Sequence, residues 1–321
     1  MYQKRRIVSF LPSSTEILYE IGAGEDIVGV THECDYPADS KRKPKVIKCS
    51  FDSAKINSKE IDRKIGELVH SGREIYQVVD NILKAARPDL IIAQGICEVC
   101  SPSTNEVNVA ISILGYQPDI LIIDPHDLDQ ILLSIVEVAN RVGRINEGNE
   151  LVVNLQKRID AVRMMVSQQR STGSKNGNGN HRQKVLCIEW IDPFFSAGHW
   201  IPQMVKIAGG INGLSYQGQP SHRMDIEEII KFDPDKIILM PCGFDLSKTI
   251  TEARTLENNK EWKSLRAVQS NEVYAVNARE YFSKPGPRTV TGLEILAKII
   301  GAKQYFDQLK VPRNSFAKLK E

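Results

Sequence analysis

The sequence predicts an α/β fold of two Rossmann-like lobes, each built on a central parallel sheet, joined by a long interlobe helix. Three observations carry this. The chain has 321 residues, beyond the size at which a single hydrophobic core stops growing. Short apolar runs alternate with amphipathic stretches in both halves, the βαβ rhythm of a parallel sheet covered on both faces. Between the halves, apolar residues recur at helical spacing for longer than a crossover helix needs.

In the first half, strands are expected at Ile7–Leu11, Ile27–Val30, Leu90–Gln94 and Ile120–Asp124, with helices at Ser14–Ile21, Ser58–Ala86 and Thr104–Leu114. Ser13 with Glu16 three residues later reads as a capping box at the first helix start. Gly22 and Gly24 close that helix, as glycines beyond a last turn commonly do. From Asp127 to about Gln169 the spacing runs through Leu128, Ile131, Leu132, Ile135, Val138 and Ala139 to Leu151, Leu155, Ile159 and Val162. This is one long helix or two nearly collinear ones, broken near Gly143 to Gly148. Ser171–Asn180, STGSKNGNGN, reads as a flexible polar loop. The rhythm then resumes with strands at Val185–Trp190, Lys236–Met240 and Val273–Val276 and helices at Pro202–Ala208, Ile226–Phe232 and Val290–Ile300. The expected boundaries are a first lobe at 1–126, the interlobe helix at 127–170, the loop at 171–183 and a second lobe at 184–321.

Composition narrows the function classes. With 42 basic and 40 acidic residues the net charge is +2, which gives neither the basic footprint of a nucleic-acid binder nor a polybasic membrane anchor. The basic N-terminus is followed by only about five apolar residues before Pro12, short of a secretory signal's apolar region. A cytoplasmic location is therefore expected. The six cysteines are then reduced thiols and not a disulfide framework. Cys187, inside Val185-Leu186-Cys187-Ile188, reads as a small buried hydrophobe, and Cys49 carries no partner signal.

The chemistry-bearing residues cluster after predicted strands, where open parallel sheets bind ligands. His32 and Cys34 follow Ile27–Val30, and Cys97 and Cys100 follow Leu90–Ala93. Cys-x-x-Cys is half of a structural zinc site or a redox motif. Its second half would come from His32, Cys34, His199 or Cys242, and thiolate with imidazole suits zinc, copper or iron–sulfur centres. The alternative is a reduced thiol pair lining a lobe, and the residues leave both open. A redox role requires a low-pKa thiolate at a helix start; Cys100 precedes one, but the thioredoxin-like context is absent. Asp124-Pro-His126 matches the Asp-x-His start of cobalamin-dependent enzymes, yet position 129 is Asp where that pattern continues with Gly, so these residues read as a strand end and cap of the long helix. No Walker sequence, Gly-x-Ser-x-Gly elbow or His-Glu-x-x-His is present.

The opening IVSFLPSSTEILYEIGAGEDIVGVTHECDYP resembles the periplasmic-binding proteins that capture cobalamin and iron–siderophore complexes for ABC importers. Pro12, Ser13, Thr15, Glu16, Gly22, Gly24, Val28, Gly29, Tyr36 and Pro37 fall in that family's order. RPDLII at Arg87–Ile92, IDPFFSAG ending at Gly198, IAGGIN at Ile207–Asn212 and Pro287-Arg288 continue it over nearly the whole chain. The resemblance implies a class III periplasmic-binding-protein fold with a ligand held between the lobes by aromatic side chains and backbone. By motif position it implies Tyr36, Phe51, Gly95 and Ile96 from the first lobe. From the second it implies Phe194, Phe195, Gly243, Phe244, Tyr281 and Phe282. By their placement between strand and helix with Pro193 and Gly198, Trp190, Trp200 and the Phe194-Phe195 pair read equally as core or as cleft wall. A corrin is a large flat apolar ring with amide arms, which aromatic faces bury and a few polar groups orient. The implied function is capture of a corrinoid or metal chelate without catalysis. Cobalamin or a transition metal is the bound species, an ABC importer permease the possible partner, and a monomer the expected state. The alternative is a thiol/His metal- or cluster-binding protein on the same fold. A long interlobe helix implies modest hinge motion.

Overall fold

The computed structural model describes residues 4–53, 55–95, 104–175 and 182–319. The first sheet comprises β1 (Ile7–Ser9), β2 (Ile27–Thr31), β3 (Lys45–Cys49), β4 (Tyr76–Val78), β5 (Leu90–Gln94) and β6 (Asp119–Ile123), ordered β4-β3-β2-β1-β5-β6. All neighbours are parallel except the β3–β4 edge pair. The second comprises β7 (Val185–Trp190), β8 (Phe195–Ser196), β9 (Lys236–Leu239), β10 (Val273–Val276) and β11 (Phe316–Lys318), ordered β11-β10-β9-β7-β8, with antiparallel strands only at its two edges. Helices α1 (Pro12–Glu20), α2 (Ser58–His70), α3 (Asp80–Ala86) and α4 (Thr104–Leu114) belong to the first sheet. After α5 (Leu128–Arg141) and α6 (Ile145–Lys175), helices α7 (Ile201–Ile207), α8 (Ile226–Phe232) and α9 (Leu246–Ala253) and a Thr289–Ile300 helix belong to the second.

Successive strand residues point to opposite faces, and both faces are apolar here, as in a sheet covered on both sides. Ile7, Leu90 and Ile92 enter one cluster, while Val8, Ile91 and Ala93 enter another. In the second sheet Val185 and Cys187 face one core and Leu186 and Ile188 the other. One cluster is shared by the two lobes. It runs from Ile7, Ile17 and Leu90 through Ile131, Ile135, Leu155 and Val162 to Trp200, Met204, Ile238 and Leu293. The lobes are therefore joined by a continuous core as well as by the chain.

Several expectations need correction. The connector is not nearly collinear. Gly143 at φ +71 closes α5 in the left-handed conformation that glycine adopts without a Cβ penalty. The Arg144 N–H then donates to the Ala139 carbonyl at 2.7 Å, and α6 folds back alongside α5. A Cβ on Gly148 would sit 2.3 Å from the Ala139 Cβ, so glycine permits the close helix crossing. The expected Ser58–Ala86 helix is two helices and a strand, because Gly72 at φ +64 ends α2 before β4. The expected polar loop from Ser171 begins as helix, since α6 continues to Lys175. Three strands, β4, β8 and β11, have only two or three residues each, too short to show a period, and β3 reads Lys-Val-Ile-Lys-Cys, neither alternating nor continuously apolar. No helix among the described residues is long and apolar enough to cross a membrane.

The crossing gives a stability test. Gly148→Val should destabilise by about 1–3 kcal/mol through overpacking. Gly66→Ala, where a Cβ meets nothing within 4 Å, should stabilise by about 0.5–1 kcal/mol. Urea midpoints of the two variants check both signs; equal shifts would contradict the packing described.

Candidate functional site

The carboxyl ends of the parallel strands of both sheets face each other across the interlobe boundary. At its centre lies α1. Leu11 is the N-cap with no side-chain cap, and Pro12 occupies the first turn, where its missing N–H costs nothing. The expected Ser13–Glu16 capping box is absent. Glu16 instead reaches the other lobe, accepting from Arg288 Nη2 at 2.5 Å and Nε at 3.0 Å. Glu16 is 2% exposed and the Arg288 side chain 14%. Burial pushes the Glu16 carboxyl above its ordinary range, and the Arg288 hydrogen bonds and charge pull against it. The turn before Arg288 packs tightly: a Cβ on Gly286 would lie 3.3 Å from the Ser13 Cβ.

Arg288 also lies 4.0 Å above the Tyr36 ring and 3.4 Å from Glu280. A guanidinium over an aromatic face is a favourable cation–π arrangement. Beside it Asp35 meets Arg279 at 2.8 Å and Lys284 at 3.3 Å, both from the second lobe. Burial alone would raise the Asp35 carboxyl, but Lys284 and Arg279 outweigh it and hold it below the usual carboxylate range.

The lobes also meet on both flanks. Beyond β3, the Ser58 N–H donates to the buried Glu252 carboxylate at 2.9 Å, and the Ser58 hydroxyl joins it. Lys248 donates to the Ser53 carbonyl at 2.7 Å, and exposed Lys59 lies 3.9 Å from Asp192. Beyond β6, Gln203 on α7 accepts from the Leu128 N–H at 2.7 Å and donates to Asp129 at 3.0 Å. There the His126 and His199 rings stand 5.7 Å apart. Burial, together with His126 beside it, lowers the His199 pKa.

The sequence-derived candidates divide into distinct environments. Tyr36 is exposed beneath Arg288, and Phe51 is half-buried with the Lys64 ammonium 5.8 Å from its ring. Gly95 ends β5, and a Cβ there would lie 3.2 Å from the Asp124 carboxyl carbon. Ile96, Cys97 and Cys100 lie outside the described residues. Phe195, on β8, pairs with Trp190. Phe194 stacks on Trp262 at 5.8 Å and packs on the apolar cluster of the second lobe. Trp200 is buried, with its indole N–H donating to the Phe282 carbonyl at 3.1 Å, and Phe282 is itself core. Phe244 is buried against the Trp190 edge, and the Gly243 N–H donates to the Ser283 hydroxyl at 3.0 Å. Tyr281 is buried 5.9 Å from Arg288; burial and then Glu280 push its phenol up to about 12.

Of the proposed metal ligands, His32 is half-buried beside Thr31, 6.1 Å from the Tyr76 ring, and burial lowers its pKa. Cys34 is buried against the Thr15 hydroxyl at 3.1 Å, and burial pushes its thiol up to about 12. That disfavours the thiolate a metal requires. Cys242 is half-buried, its N–H bonded to the Glu189 carbonyl at 3.0 Å. Among the described residues no group of three or more His, Cys, Asp or Glu is placed to hold a metal ion, so His32, Cys34, His199 and Cys242 do not converge on one. Nothing local in the sequence assigns Asp35, Glu16, Arg279, Lys284 or Arg288 to the interlobe boundary. Their signal was charge within loops that follow strands, and for Glu16 a local cap explanation stood in the way.

Asp35 supplies a pH test. Because it titrates lower folded than unfolded, its contribution is fully present above the ordinary carboxylate value of about 3.9 and is lost as pH falls through the folded value. Wild type should exceed Asp35→Asn in urea midpoint at pH 7, with the gap closing below about pH 4. A gap unchanged at acid pH would contradict the ion pairs.

The geometry has counterparts in known proteins. A vitamin B12-binding protein of Vibrio cholerae is 22% identical over 297 residues, covering 91% of this chain and 88% of its own length. An uncharacterized ABC transporter substrate-binding lipoprotein of Bacillus subtilis is 23% identical over 304 residues, covering 93% and 80%. Among solved structures, a periplasmic heme-binding protein from Pseudomonas aeruginosa superposes with a TM-score of 0.67 at 15% identity, over 95% of this chain and 94% of that one. The periplasmic vitamin B12-binding protein of Vibrio cholerae gives 0.61 at 20% identity, over 94% and 98%. These likenesses show the class III periplasmic-binding-protein fold. The family described as periplasmic binding protein matches residues 7–280, and the chain belongs to it.

Proposed function

We propose that the chain is a non-catalytic, monomeric capture protein that holds a corrinoid or an iron chelate of the heme type between its lobes and passes it to an ABC importer permease. The observation that carries this reading is the apposition of strand-end loops from both sheets, with Tyr36 exposed beneath Arg288 at the boundary. Half-buried Phe51 and Phe195 add aromatic surface, one from each lobe. Such faces suit a flat macrocycle, and the Asp35, Arg279 and Lys284 charges suit its polar arms. Support also comes from relatives whose names specify vitamin B12 or heme as what they bind. Two cavities among the described residues, of about 390 and 680 Å³, are lined by other residues, around α6–α7 and around Trp262 and β11 respectively, so neither of them is the proposed seat.

Titrating purified protein with cyanocobalamin and with hemin, followed by cargo absorbance, tests the reading. The expected result is saturable one-to-one binding of at least one cargo at micromolar concentration or below, with the cargo recovered chemically unchanged. Tyr36→Ala should weaken binding about 2- to 10-fold, the range of an aromatic contact. Absence of binding by both cargoes at about 100 μM, some −5 kcal/mol, would sink it.

A further inference from the structure

We propose that His126 and His199 form a seat for a divalent transition-metal ion of the zinc, copper or nickel class, at the boundary where the interlobe connector meets the second lobe. Both Nδ1 atoms are buried and have no hydrogen-bond partner among the described residues. A buried polar atom without a partner calls for an explanation, an ion among them. Two such atoms on neighbouring imidazoles, with ring centres 5.7 Å apart and planes tilted by 42°, share one explanation. With metal–nitrogen bonds of about 2.0–2.1 Å, two imidazoles on one ion place their ring centres roughly 5–6 Å apart.

The surroundings supply the supports a metal-binding imidazole has. His126 Nε2 lies 3.2 Å from the Asp124 carboxylate. A carboxylate on one ring nitrogen fixes the tautomer, makes the ring more basic and leaves the other nitrogen to the metal. The His126 N–H is held by Gln130 at 2.8 Å. On the other side, the His199 N–H donates to the Gln219 carbonyl at 2.6 Å and its carbonyl accepts from Gly218 at 2.9 Å. Gly198 lets that turn approach, since a Cβ there would lie 2.4 Å from the Ser221 nitrogen. His199 itself sits at φ +51, a conformation glycine adopts more easily; a side chain kept there points to a use for it. Gln203 locks α7 to the start of α5, so the two rings are set before any ion arrives. Two protein donors leave the ion open to solvent or to a further ligand, and imidazole suits this metal class. The seat does not depend on what the lobes carry.

The test uses untagged full-length protein free of cargo. Cys97→Ser and Cys100→Ser are introduced so that the Cys-x-x-Cys pair cannot supply the signal. Calorimetric titration with zinc chloride and optical titration with cobalt chloride should show one site at micromolar concentration, with a nitrogen-ligand cobalt spectrum. His126→Ala and His199→Ala should each weaken binding at least about tenfold, and Asp124→Asn about 10- to 100-fold with both imidazoles retained. Circular dichroism verifies folding, and His126→Gln and His199→Asn replace any alanine variant that fails it. No stoichiometric binding, or binding unchanged in the histidine variants, overturns the proposal.

Discussion

The buried pair between Glu16 and Arg288 is the constraint around which the two lobes are arranged. A carboxylate that is 2% exposed survives only with a partner, and removing one member of such a pair typically costs about 3–5 kcal/mol. The pair in turn dictates its neighbours. Glu16 must leave the first turn of α1 uncapped by side chains, which Pro12 tolerates because its nitrogen has no proton to satisfy. Gly286 must lack a side chain for the turn to reach Ser13. Arg288, held there, covers Tyr36 and so shapes the aromatic surface at the boundary.

Around this pair the interlobe contacts form a graded series. The shared apolar core and the Ser58–Glu252 bonds are shielded from water, where electrostatic and packing terms keep their strength. Asp35 with Arg279 and Lys284 is partly shielded. Lys59 with Asp192 is exposed on both sides and contributes little. Opening the boundary thus costs much where it is buried, at the centre and at the Ser58–Glu252 flank, and little at its exposed contacts. The folded-back α5–α6 connector reinforces the centre, since its apolar faces belong to the shared core.

How far the sequence revealed this follows from the range of each interaction. Strands β5, β7 and β10 and helices α4 and α8 match their expected bounds, because runs such as Leu90–Gln94 and Val185–Trp190 are buried on both faces and read as continuous apolar segments. Short edge strands such as Phe195–Ser196 are fixed by pairing with a distant strand and leave no local period. Gly143 reads locally as a break and not as a reversal, because the direction after a helix end depends on what the next helix packs against. Site residues divided the same way. Cys34 follows a strand as a site residue would, yet its thiol turns inward to Thr15. Glu16 satisfied a local capping pattern, and its true partner lies 272 positions away. His126 reads locally as part of a helix cap, and only the fold brings His199 to it.

The buried centre presets the geometry of the boundary, so that cargo of the proposed kind enters without the lobes swinging apart. Crystal structures without cargo and with bound cyanocobalamin or hemin test this most directly. Glu16–Arg288 and Asp35–Lys284 are expected to persist in both, with the backbone around them displaced by no more than about 1 Å. A cargo complex in which those pairs are broken and the facing loops have moved by well over about 2 Å would contradict it.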